Sequence, residues 1–582
     1  MSAVADRPVR IANCSGFFGD RRAAAREMVS GGPIDVLTGD WLAELTMLIL
    51  ARQRSKRPEA GYAGTFVEQL RDVLADCVAR RIRVVANAGG VNPEGCADAV
   101  RAVAAELGVD VRVAAVVGDD LLPRLDELAR RGERLAHLDT GQPLAGAGID
   151  PMSANAYLGG WGIAAALDAG ADVVVTGRVT DAALTLGPAA WWHGWRRDDW
   201  DELAGAVVAG HDIECGAQAT GGNYSFFREV PGLEHAGFPI AEVAVDGSSV
   251  ITKHDGTGGA VTVETVTAQV LYEIAGARYP NPDVVARFDT IELAPDGTDR
   301  VRISGVRGEP APATTKVCIN YLGGFRNTVT LALTGLDIEA KAALAERALW
   351  AAVPGGRAAF EDAAAELVKG DGDGFGLLHV TVVDRDRDKV GRKFSNLATE
   401  MALATYPGFF TTAPPGDARE FGVYWPALVD SSMIDQRVVL DGHTIAVAPT
   451  ESAVSTMADP VPAADEARSW GPTVVLPLGR LFGARSGDKG GDANVGVWAR
   501  SPDGFEWLAG YLTVERIQEL LPETRAHRVE RHDLANIRAL NFVVKGLLGR
   551  GVAASTRFDT QAKSLGERLR AAVADVPEKL LG

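Results

Sequence analysis

Cysteine is scarce and scattered in this chain. Its 582 residues include five, Cys14, Cys77, Cys96, Cys215 and Cys318, and no two of them form a CxxC pair. That spacing excludes a zinc ribbon and a disulfide framework and suits reduced thiols. No apolar run reaches the length of a bilayer span, and the opening residues, MSAVADRPVRIAN, lack the basic and apolar regions of an export signal. A cytoplasmic protein with no membrane partner is therefore expected. Positive charge is in deficit as well. The 59 Lys and Arg against 77 Asp and Glu give a formal charge of −18, which repels phosphate backbones and argues against a nucleic-acid partner.

Several signature motifs are missing. Neither Cys14-Ser15-Gly16-Phe17-Phe18-Gly19 nor Asn87-Ala88-Gly89-Gly90 fits GxGxxG, so a nicotinamide cofactor is not implied. Lys253-His254-Asp255-Gly256-Thr257-Gly258-Gly259 lacks the Walker pattern, and neither HExxH nor GxSxG occurs. No cofactor is evident and no metal site is expected, with coenzyme A admitted as part of a substrate.

What is present is an ordinary globular composition, 47% hydrophobic and 23% charged, on a chain long enough for two to four folding units. Short β-branched runs at Val9–Ala12, Asp35–Leu37, Arg83–Ala86, Val111–Val116 and Asp172–Thr176 each precede a turn and a helical pattern. This alternation predicts an α/β core built on a Rossmann-like, mostly parallel sheet over about residues 1–225. From Ala241 to Leu333 strand-like runs separated by Gly, Asp and Pro turns predict a mainly antiparallel sheet. Helical text at Asp337–Ala352, Ala358–Val368 and near Asn396–Leu403 makes about 226–455 an inserted or appended α+β region. The Pro/Ala/Asp-rich stretch Ala448–Gly471 reads as a linker, taken as 456–472, which ends a core of residues 1–455. Strand and helix alternation over 473–582 predicts a ferredoxin-like α+β tail.

In parallel sheets ligands lie at the carboxyl ends of the strands, so the loops carrying Ser15, Asn87, Gly89, Gly90, Arg178 and Asp181 are expected to line a cleft. Arg178 offers a planar fork for an anionic group, and Asp181 either acts as a base or holds that arginine. The polar segment Gly210–Tyr224, expected as a loop, concentrates His211, Asp212, Glu214 and Cys215, and it also carries Gln218 and Asn223 as binding candidates. Glu214, Asp181, His211 and Cys215 are the catalytic candidates, because they supply an acid, a base and a nucleophile. Lys253, beside its glycine turn, is a candidate anion ligand or else an exposed hairpin lysine. In the tail, the charged glycine loop Ala484–Asn494 offers Arg485, Asp488 and Lys489, expected to face the core of the same subunit or of a neighbour and either to bind an anionic substrate or to dock the tail through ion pairs.

The segments GHDIECGAQATGGNY, ITKHDGTGGAVTVETVTAQVLYEI, PNPDV and GARSGDKGGDANVGVWAR together resemble the acyclic terpene utilisation family of bacterial proteins. The resemblance spans nearly the whole chain. It implies a large core followed by a small ferredoxin-like tail, and a role in catabolism of acyclic terpenes through branched acyl-CoA thioesters. It assigns no catalytic residues. The tail loop departs mildly from the family pattern, with Lys489-Gly490-Gly491-Asp492 where an asparagine near the second glycine is expected.

Three functions remain open at this stage. The first is an enzyme of hydratase or lyase type acting on a small carboxylate or acyl-CoA thioester. The second is a non-catalytic acyl-binding or complex-assembly subunit, and the third is a hydrolase or acyl transferase using Cys215. The expected partner is a small-molecule substrate, and assembly as a homo-oligomer is expected.

Overall fold

The computed structural model describes residues 7–370, 374–452 and 470–581. Five strands, Val9–Asn13, Val36–Gly39, Arg83–Ala86, Val173–Thr176 and Val113–Val117, lie side by side in that order and run parallel. Their near-continuous apolar runs follow from burial on both faces. Along Val113–Val116 successive side chains alternate between two cores: Val113 and Ala115 pack with the helices Ala24–Gly31, Gly64–Arg80 and Pro93–Leu107, and Ala114 and Val116 pack with Trp161–Asp168, Ala183–His193 and Trp200–Ile213. The period of two in a strand produces that division.

The mostly parallel, Rossmann-like sheet expected from the sequence is corrected by the topology. The sheet has eleven strands and is mixed, with four parallel pairings and six antiparallel ones. Pro239–Val243 pairs antiparallel with Val9–Asn13, and Ser249–Lys253, Arg300–Ser304 and Glu292–Pro295 extend that edge. The hairpin Arg437–Leu440 and His443–Ala446 extends the other. Strands on both sides of residue 226 thus belong to one sheet. Alternation in a sequence reports how many faces are buried and is silent on which neighbour a strand joins.

A second sheet centres on the 21-residue strand Thr314–Thr334, flanked by Arg419–Asp430, Phe375–Asp384 and Pro151–Ala156. The helices Ile338–Ala352 and Arg392–Glu400 cover one of its faces. The helix expected over Ala358–Val368 is instead the strand Asp362–Lys369, paired over its full length with Phe375–Asp384. Its alanines favour a helix, but the ladder to a neighbouring strand outweighs that local preference.

In the tail, four antiparallel strands stand in the order Phe482–Lys489, Asp492–Ala499, Ala539–Val544, Val529–Leu534. The segment expected as a charged loop at 484–494 is therefore two strands of a hairpin turning at Gly490-Gly491. Most of the expected linker, 456–472, lies outside the described residues. Trp498, Leu534, Ile537 and Ala539 of the tail pack in one apolar cluster with Leu271 and Ile274 of the core. At this seam Asn494 Nδ2 donates to Leu271 O at 2.9 Å, Asn541 Nδ2 donates to the carbonyls of Ile274 and Ala275 at 3.0 Å each, and Glu273 N donates to Asn494 Oδ1 at 3.1 Å. Among the described residues no helix is long and apolar enough to cross a membrane.

Candidate functional site

The carboxyl ends of the parallel strands converge. Asn87, just after Arg83–Ala86, accepts from Trp41 N at 2.8 Å through Oδ1 and donates to Asp40 Oδ1 at 2.5 Å through Nδ2. Its side chain thereby fixes the neighbouring strand end, where Leu42 N also donates to Asp40 Oδ1 at 2.9 Å. Arg178, only 2% exposed, receives its own anchor from Asp119, whose Oδ2 accepts Arg178 N at 2.9 Å. Its Nη1 donates to Asp181 Oδ1 at 2.6 Å, to Val179 O at 3.0 Å and to Leu42 O at 3.4 Å, and the guanidinium lies 4.2 Å from the Tyr157 ring centre. Arg178 Nη1 is thus engaged by the protein, whereas its Nε is buried with no hydrogen-bond partner.

The segment around His211 meets these strand ends. His211 and Asp212 occupy the last turn of the helix Trp200–Ile213, so the loop expected from Gly210 begins as a helix. A Cβ at Gly210 would come within 2.8 Å of Ala182 Cα, and one at Gly16 within 2.6 Å of the Cys215 carbonyl carbon. Glycine at these two positions permits the close approach that places the Ser15 loop, Asp181 and the His211–Cys215 turn together. His211 Nε2 faces Val270 O at 3.3 Å, and its Nδ1 lies 3.2 Å from Glu214 Oε1 without hydrogen-bond alignment.

Burial sets the protonation states. It lowers the His211 pKa to about 4, leaving a neutral imidazole. It pushes the Glu214 carboxyl well up, and the neighbouring charges of Asp181 and Glu273 push in the same direction. Burial, then Asp181, raises Asp40; burial raises Glu273; burial and Glu273 bring Asp488 up to about 7. Asp212 is fully buried with neither carboxylate oxygen bonded, and burial and Glu214 raise its pKa. Glu44 goes the other way: its burial opposes the charge, but Lys316 at 3.5 Å, Arg178 and the Tyr157 hydroxyl donating at 2.9 Å hold it at about 2. Carboxyls driven apart in this manner within one site mark acid and base roles.

The remaining candidates divide. Burial, Glu214 and Glu273 raise the Cys215 thiol well above its ordinary range, which disfavours the thiolate that a Cys215 nucleophile needs, and His211 Nδ1 faces Glu214. Ser15 turns inward, its hydroxyl donating to Phe17 O at 3.1 Å. The Gly89 and Gly90 amides donate to Thr176 O and Asn87 O at 3.0 and 3.3 Å. Lys253 is buried and pairs with Asp299 at 3.0 Å while donating to Thr257 O at 2.8 Å, contrary to both an anion ligand and an exposed lysine. Gln218 Oε1 sits 3.5 Å from Asn223 Nδ2. Asn223 itself contributes its carbonyl, which accepts from Arg485 Nη1 at 3.0 Å.

The tail closes over this cluster. Lys489 Nζ donates to Glu273 O at 2.6 Å, Arg485 lies 4.4 Å from the Tyr272 ring centre, and Lys563 Nζ donates to the Tyr272 hydroxyl at 3.0 Å. Asp488 feels the charges of Glu273 and Glu44 of the core. Sequence reasoning missed Glu44, Tyr157, Tyr272, Glu273, Lys316 and Lys563. Tyr272 and Glu273 sit inside the VLYEI motif, which was a signal, whereas Lys316 in mid-strand gave none. An open cleft of about 560 Å³ lies on the opposite face of the second sheet, lined by Tyr321, Gly323, Trp425 and Arg550 among others, and holds none of these acids.

Comparison with curated proteins and with solved structures gives no match. Two family models do match: Acyclic terpene utilisation family protein AtuA over residues 9–440, and AtuA ferredoxin-like domain over residues 476–574. The first spans well over half of the chain and contains every core residue of the site, and the second contains the tail residues that close it. The chain belongs to the acyclic terpene utilisation family AtuA.

Proposed function

We propose that the chain is a catabolic enzyme performing hydratase- or lyase-type acid–base chemistry on a branched or terpenoid carboxylate or acyl-CoA thioester. Membership in a family concerned with acyclic terpene utilisation supports the catabolic role. The chemistry rests on one observation: Glu214 is pushed toward its neutral form by burial and by the neighbouring Asp181, which Arg178 holds by an ion pair at 2.6 Å. In the hydration direction, Glu214 gives its proton to the carbon next to the carbonyl while Asp181 takes a proton from the attacking water. The hydroxide is added at the next carbon, and Asp181 then returns its proton to Glu214 through solvent. Neutral His211 stands 3.2 Å from Glu214.

Glu214→Gln preserves shape and removes the proton, so it should lower kcat/KM by roughly 100-fold or more on a panel of branched unsaturated acids and their CoA thioesters. Circular dichroism should remain that of the wild type. Unchanged turnover in a folded variant would reject the assignment.

A further inference from the structure

We infer that Arg485, Lys489 and Lys563 of the tail form a subsite for a compact oxyanion, a carboxylate or a phosphate, beside the acids of the core. This rests on the reading above that those acids act on a small-molecule substrate.

The strand Phe482–Lys489 presents alternate residues to one side. Arg485, Gly487 and Lys489 share the side that meets Tyr272, and a Cβ at Gly487 would fall 2.5 Å from Tyr272 Cε2. Glycine there lets the tyrosine ring lie against the strand, between the two cations. Lys563 comes from the segment before the helix Leu565–Ala571, and Ser486 ties that segment to the strand, its hydroxyl donating to Lys563 O at 3.0 Å and accepting from Gly566 N at 2.9 Å. Arg485 and Lys563 thus both meet the Tyr272 ring, at 4.4 and 5.3 Å from its centre, and Lys489 bonds the carbonyl of the next residue, Glu273.

None of the three is neutralised. Each has a neutral oxygen as its hydrogen-bond partner: the Asn223 carbonyl for Arg485, the Glu273 carbonyl for Lys489 and the Tyr272 hydroxyl for Lys563. Among the described residues no carboxylate is in ion-pair contact with any of them. Arg485 is 8% exposed, and its Nη2 is buried with no partner at all. A buried guanidinium nitrogen left empty is costly unless something fills it. Glu273, the carboxyl whose charge acts on Arg485, is pushed toward its neutral form by burial. Burial also lowers the pKa of Arg485 and Lys489, a penalty that an arriving anion offsets. Lys563 is exposed and stands at the rim, which leaves the subsite open to solvent. A planar fork with two ammonium groups suits a carboxylate or a phosphate.

The test is thermal denaturation and titration calorimetry of the full-length protein with inorganic phosphate, with acetate, and with chloride at matched ionic strength. Phosphate or acetate should raise the Tm in a saturable manner that chloride does not reproduce. Binding of phosphate alone identifies a phosphate ligand, and binding of acetate identifies a carboxylate. Lys563→Gln, at an exposed position, should weaken binding at least about tenfold, as should Arg485→Gln, while Lys563→Arg retains it. Glu214→Gln should bind the anion as the wild type does, which separates this inference from the catalytic assignment. Equal effects of all three salts, or wild-type affinity in folded Lys563→Gln, would overturn the subsite.

Discussion

At the scale of single residues, the site is organised by protonation. Glu214, Asp40, Glu273 and Asp488 are held toward the neutral acid by burial and by one another, while Glu44 stays charged beside Lys316. Asp488 gives this a thermodynamic consequence. Its carboxyl titrates at about 7 in the folded protein, against about 3.9 in an unfolded chain. Folding therefore takes up a proton between those values, so the stability Asp488 contributes is complete at low pH and is lost as the pH rises through 7. Asn cannot titrate. The fall in Tm between pH 5 and pH 8 should consequently be smaller in Asp488→Asn than in the wild type. An identical pH dependence of the two proteins would show that Asp488 does not carry this linkage. His211 acts in the opposite sense, losing stability as the pH falls toward 4, and is unaffected by that substitution.

At the scale of elements, legibility followed the kind of signal. The five parallel strands were readable because burial on both faces leaves continuous β-branched runs, and the polar residues after them mark the ligand end. Lys316 was invisible because an antiparallel strand does not announce which of its faces meets a distant helix, here the one that begins at Glu44. Gly89 and Gly90 are expected to line a cleft, and their amides serve the turn itself. The alanine-rich strand Asp362–Lys369 was misread because propensity is local and pairing is not. The seam at Leu271–Ala275 was equally hidden, since backbone carbonyls have no sequence signature. Asn541 is fully buried there and bonds two of those carbonyls. Asn541→Ala leaves them unpaired and should cost about 1–3 kcal/mol in denaturant unfolding, with faster proteolysis at residues 271–275. A loss within about 0.5 kcal/mol would mean that the seam is held by apolar packing alone.

At the scale of the whole molecule, core and tail share an apolar cluster and a polar contact in which Lys489 donates to Glu273 O at 2.6 Å. The core brings carboxyls raised toward the neutral acid and the tail brings cations that lack carboxylate partners. The composite arrangement is tested most directly by a double-mutant cycle on kcat/KM, using Glu214→Gln, Lys489→Met and the two combined, with folding verified for each. If both groups act on one bound substrate, Lys489→Met alone costs at least about tenfold, and the combined loss is smaller than the product of the single losses. Wild-type kcat/KM in a stably folded Lys489→Met protein would contradict a site shared between core and tail.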